Sequence, residues 1–149
     1  MSQFTSFMGA ALAEARAAAD RGEVPVGAVV VRNGDILAAA GNRTRALCDP
    51  TAHAEILAIR AACAALQSER LNECDLWVTL EPCATCAGAI AAARIARLYI
   101  GAPDPKSGGV AQGARVFDHP QSHHRPEIYT GIQEAEATIL LKDFFASRR

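Results

Sequence analysis

The sequence has no excess of charge of either sign: fifteen Lys and Arg stand against sixteen Asp and Glu, a formal net charge of −1 over 149 residues. The global signature of a strongly basic nucleic-acid binder is therefore missing. It has no stretch of about eighteen apolar residues free of charge, so no segment is expected to span a membrane. It has no even cysteine framework either. Cys48, Cys63, Cys74, Cys83 and Cys86 are odd in number and unlike the pattern of a secreted disulfide scaffold. The opening segment places Glu14, Arg16, Asp20 and Arg21 where a secretory leader would be apolar. These absences lead to the expectation of a cytoplasmic protein. Half the residues are apolar, 21% are charged and only 5% are aromatic, which excludes disordered, collagenous and low-complexity classes. The length suits one domain over residues 1–149.

Along the chain, helical and strand patterns alternate. Residues 4–20 carry Phe7, Met8, Ala11, Leu12 and Ala15 at helical spacing, with Gly22 as a stop. Segments 25–31 and 35–41 read as strands joined by Asn33-Gly34, a hairpin signal. A second helix is predicted to begin after Asp49-Pro50, with its apolar stripe at Ile56, Ile59, Cys63 and Leu66. A strand at 76–80, a helix at 83–94 and a strand at 97–102 form a crossover that calls for parallel neighbours. Residues 102–131 concentrate Pro, Gly and His in an irregular excursion of the kind that carries function. A short strand at 127–130 and a helix at 133–145 follow. The expected fold class is α/β: three layers, α/β/α, around a mixed sheet of about five strands.

Two short segments put metal ligands at the starts of two helices: His53-Ala54-Glu55 and Pro82-Cys83-Ala84-Thr85-Cys86. Cys83 and Cys86, three apart, share one helix face, where the positive end of the dipole favours thiolates. Taken alone, the CxxC pair also suits a redox couple or half of a structural zinc site. With His53 as a third ligand and one position open, the set matches a catalytic zinc. Cys63 falls on a core stripe, and Cys48 and Cys74 have no pairing argument, so none is read as a ligand. Two thiolates offset the charge of a zinc ion and weaken it as a Lewis acid, so a general base is needed, and Glu55 is the candidate. One geometric condition applies. Residues two apart on a regular helix point about 200° from each other, so His53 and Glu55 can share a site only at a helix entrance.

In this order, H-x-E followed by P-C-x-x-C is the signature of zinc nucleobase deaminases. EVPVGAVVV at 23–31, DPTAHAEI at 49–56, LWVTLEPCATCAGAI at 76–90, IGAPDPKSGG at 100–109, and the terminal LKDFFASRR resemble the bacterial tRNA-specific adenosine deaminases. The resemblance covers nearly the whole chain. It implies a cytidine deaminase-like fold and one Zn2+ per subunit on His53, Cys83 and Cys86. It also implies hydrolytic conversion of the wobble adenosine, position 34 of tRNA-Arg, to inosine. There, zinc-activated water would attack C6 of a flipped base with Glu55 as proton shuttle. Asn42 would contact the target nucleoside. Asp104, Lys106, Ser107, Phe145, Arg148 and Arg149 would contact the anticodon stem-loop, and the chain would act as a homodimer. Phe144 reads as core, and His119, His123 and His124 read as a polar loop without a second metal. The alternative is a free-base deaminase of the same fold, acting on guanine or cytosine without an RNA surface.

Overall fold

The computed structural model describes residues 4–148. Strands β1 (Gly27–Arg32) and β2 (Asp35–Gly41) form an antiparallel hairpin. Asn33 (φ 52°) and Gly34 (φ 80°) both adopt the left-handed backbone that a tight two-residue hairpin turn requires. β1 also pairs antiparallel with β3 (Cys74–Leu80), and β3 runs parallel to β4 (Arg97–Ala102), as the crossover pattern predicts. β4 is followed in the sheet by the short parallel strand β5 (Glu127–Tyr129), giving the order β2-β1-β3-β4-β5.

Four helices, α1 (Met8–Asp20), α2 (Ala54–Leu66), α3 (Ala84–Ala93) and α4 (Glu134–Ala146), cover the two faces. Strand side chains alternate between them. Ala28, Val30, Leu76, Val78, Leu98 and Ile100 pack with Ala58 and Ala62 of α2 and with Ala87 and Ile90 of α3. Val29, Val31, Trp77 and Tyr99 pack with Met8 and Leu12 of α1 and with Ala137 of α4. Each large apolar side chain buried this way contributes about 1.5–3 kcal/mol. Small residues bring the layers close: a Cβ on Gly27 would collide with the carbonyl oxygen of Ala11 in α1.

Two element boundaries differ from expectation. α1 starts at Met8 and not at residue 4, where the Ser6 hydroxyl accepts the Met8 N–H at 3.2 Å. α2 starts at Ala54 and not after Asp49-Pro50. The Asp49 carboxylate accepts both the N–H (2.9 Å) and the hydroxyl (2.7 Å) of Thr51, closing a turn in place of a helix cap. The excursion between β4 and β5 is irregular apart from a single 3-10 turn, Val116–Asp118. It is anchored by buried Phe117, by the Val116 N–H on Gly109 O (2.8 Å) and by His124 Nε2 donating to Ile95 O (2.6 Å).

Candidate active site

Both ligand segments lie where the chain enters a helix. His53 is the extended residue ahead of α2 (ψ 153°), and Cys83 holds the same place ahead of α3 (ψ 177°). Two helix N-termini therefore converge on one spot, and their dipoles favour anionic sulfur there. His53 Nδ1 lies 3.3 Å from Cys86 Sγ and 3.6 Å from Cys83 Sγ, and the three ligand atoms all lie within 4.8 Å of one another. A tetrahedral zinc with bonds of about 2.0–2.3 Å sets its donors roughly 3.3–3.8 Å apart, so the donor set fits zinc in both chemistry and spacing. Among the described residues, no other group of three His, Cys, Asp or Glu side chains has ligand spacing.

The two thiols are not equivalent. The Cys86 thiol donates to Cys83, and the Cys86 and Thr85 N–H groups and the His53 charge act with it against burial, lowering the Cys83 pKa to about 4. The same contact, reinforced by burial and the Glu55 charge, pushes Cys86 up. Metal binding needs both sulfurs deprotonated, so it favours release of the proton held by Cys86.

Glu55 is buried in the first turn of α2. Because His53 sits outside the helix, residues two apart reach one cavity and the geometric condition is met. Burial pushes the Glu55 carboxyl up to about 7, opposed by its own backbone N–H and by the His53 charge and reinforced by the Cys83 charge. The cavity, of about 160 Å³, is lined by Asn42, His53, Glu55, Cys83, Asp104 and Ser107, among others. It adjoins a second cavity of about 390 Å³ lined by Lys106 and Phe145 and sharing Asp104 and Ser107 with the first.

Asn42 follows directly on β2, and its Oδ1 accepts the Ala54 N–H at 3.2 Å. It thus supplies, from a strand, a cap that α2 does not take from the His53 side chain. Its Nδ2 remains available as a donor. Asp104 Oδ1 accepts the N–H groups of Lys106 and Ser107, each at 3.1 Å, and so shapes the loop that carries all three. Phe144 is buried, as expected, whereas Phe145 is 52% exposed. Arg148 does not line either cavity: its guanidinium lies 3.8 Å over the Phe144 ring. Arg149 lies outside the described residues.

Two buried carboxylates beside the site carry no motif in the sequence: Glu81, at the end of β3, and Glu23, ahead of β1. Glu23 accepts the N–H groups of Arg45 (3.1 Å) and Ala46 (2.8 Å), and Glu81 accepts four N–H groups of the excursion, so each holds a loop beside the cavity. The only available signal was a carboxylate embedded in an apolar run, Thr79-Leu80-Glu81-Pro82.

Residues 1–149 match the family described as MafB19-like deaminase. The tRNA-specific adenosine deaminase of Agrobacterium fabrum (strain C58) is 55% identical over 149 residues, covering 100% of this chain and 98% of that protein. A solved structure concerned with A-to-I editing by tRNA:A34 deaminases at the wobble position of transfer RNA is 57% identical. It has a TM-score of 0.90 and covers 91% of this chain and 98% of its own. Guanine deaminase from Bacillus subtilis is 31% identical with a TM-score of 0.68, covering 99% of this chain and 94% of its own. The mixed sheet and its four helices are the cytidine deaminase-like fold of these neighbours. On identity sustained along the full chain, this protein belongs to the MafB19-like deaminases and, among them, to the tRNA-specific adenosine deaminases.

Proposed function

We propose that the chain is a single, zinc-dependent deaminase domain that hydrolyses the wobble adenosine, position 34 of tRNA-Arg, to inosine. It works as a cytoplasmic homodimer with one zinc per subunit. The observation that carries this reading is the buried Glu55 carboxyl in one cavity with His53 and Cys83, beside Cys86. The name of the Agrobacterium relative and the tRNA:A34 deaminase structure support the choice of substrate.

His53 Nδ1, Cys83 Sγ and Cys86 Sγ would hold zinc, and the chemistry it would supply there is acidification of the attacking water. Glu55 takes a proton from the attacking water and delivers it to N1 of adenine as the oxygen bonds to C6. It then takes the proton of the new C6 hydroxyl and delivers it to the amino group, so that the C6–N bond breaks, ammonia leaves and the C6 carbonyl of inosine forms. A carboxyl raised toward neutrality by burial suits both duties. With Oδ1 committed to Ala54, Asn42 offers Nδ2 to an acceptor on the base edge. Lys106 and Phe145, in the adjoining cavity, suit a phosphate and a flanking base. Arg148 adds charge just past the end of α4, and Arg149 follows it in the sequence. Homodimerisation rests on the family resemblance, and sedimentation should give twice the 15.7 kDa chain mass.

The test is incubation of the zinc-loaded protein with an A34 anticodon stem-loop of tRNA-Arg and, separately, with guanine, cytosine, adenosine and cytidine. Inosine in the RNA is expected. Ammonia from a free base, with unchanged RNA, overturns the reading in favour of the free-base alternative. Glu55→Ala should keep its zinc by elemental analysis and lose turnover by about 10²–10⁴. Cys83→Ala should lose the metal. Full activity of Glu55→Ala would remove the mechanism.

A further inference from the structure

We propose that Glu81 is a positioning residue for the deamination: its carboxylate fixes the segment Asp104–Gln112 over the catalytic cavity and so sets the binding side of the reaction. The proposal rests on the reading that this cavity receives a nucleotide of an RNA loop.

Glu81 is 4% exposed and stands two residues ahead of Cys83. Oε1 accepts the Asp104 N–H at 3.1 Å, and Oε2 accepts those of Val110 (3.1 Å), Ala111 (3.0 Å) and Gln112 (3.1 Å). Glu81 lines the catalytic cavity, but of the roughly four acceptor sites of a carboxylate main-chain donors of one segment crowd three onto Oε2 and one onto Oε1, so its main partner is that segment. The segment closes directly onto the carboxylate: a Cβ on Gly108 would lie 2.5 Å from Glu81 Oε2 and 2.6 Å from Asp104 O. The same segment carries Asp104, Lys106 and Ser107, and Asp104 Oδ1 ties the other two to itself. A shift at Glu81 is therefore passed to the residues that line both cavities. Charge-assisted bonds of this type are about twice as strong as neutral ones, which makes the grip stiff. Glu81 thus acts on substrate through the loop, while Glu55 handles the protons.

The experiment compares Glu81→Gln, Gly108→Ala and the double variant with wild type, all zinc-loaded. Zinc content, amide hydrogen exchange, and KM and kcat on the A34 stem-loop are measured. Glu81→Gln keeps the shape but turns an NH2 toward N–H donors. It should retain zinc, speed exchange at Asp104 and Val110–Gln112, raise KM by roughly tenfold and leave kcat within about threefold. Gly108→Ala, which leaves the carboxylate intact, should move KM and exchange in the same direction, and it carries the test if Glu81→Gln does not fold. The double variant should be no worse than the more severe single one, because both act on one contact. A fall in kcat with KM unchanged, or exchange at these four amides equal to wild type, overturns the proposal. Should wild type make no inosine, the substrate reading fails, and exchange alone decides: loss of protection supports the grip and retention overturns it.

Discussion

Glu23 and Glu55 are both buried carboxylates, yet their surroundings move them in opposite directions. At Glu55 burial dominates and the carboxyl rises to about 7. At Glu23 burial also pushes upward, but the N–H groups of Ala46 and Arg45 and the charges of Arg21 and Arg45 outweigh it, holding the carboxyl below its ordinary 4.5. A group depressed on folding adds stability above its unfolded pKa and loses it as pH falls through the lower folded value. Wild type should therefore be more stable than Glu23→Gln at pH 6–7. The gap should close below about pH 4.5 in denaturant titrations of the two proteins across that range; a gap independent of pH would refute the account. The legibility of the site follows the same division. His53, Glu55, Cys83 and Cys86 were readable because two short local spacings carry their chemistry. Glu23 and Glu81 were not, because each grips main chain more than twenty residues downstream and backbone N–H groups leave no mark on residue type.

Among the elements, α2 and α3 begin at the site and end in strained caps. Gln67 (φ 50°) and Arg94 (φ 65°) close them in the left-handed region, where glycine is the usual occupant. Gln67→Gly should stabilise the protein by about 0.5–1 kcal/mol, the left-handed cost less the added chain entropy. Arg94→Gly should gain less, since Arg94 also donates to the Ala91 carbonyl at 2.7 Å. Urea unfolding of both variants checks the order, and a larger gain at Arg94 would contradict it. The hairpin at Asn33-Gly34 was legible because its turn chemistry is local. The start of α2 was not: Asp49-Pro50 imitates a helix entrance, but Asp49 satisfies Thr51 instead. That displacement leaves His53 extended ahead of Ala54, the one placement in which an H-x-E motif can serve a single site.

Over the whole molecule, a near-neutral charge balance coexists with a cavity that brings Lys106 and Phe145 together. Lys106 and Phe145 stand together in one cavity beside the catalytic one, so the net charge of −1 says little about what the mouth binds. The three side chains that could hold a metal all belong to the layer of α2 and α3, and an ion there would tie the two helix entrances together. Chelation should lower the melting temperature followed by circular dichroism, and an unchanged value would argue against zinc as a structural tie. The opposite layer holds Trp77, the one Trp of the chain, 2% exposed and stacked on Tyr99 at 3.8 Å with ring planes 5° apart. Its Nε1 has no hydrogen-bond partner among the described residues. At 2% exposure the indole should emit to the blue of a solvated Trp and report on the α1/α4 side of the sheet. Stripping the metal should leave that emission maximum in place until global unfolding, so one intrinsic optical signal separates loss of the ion from loss of the fold.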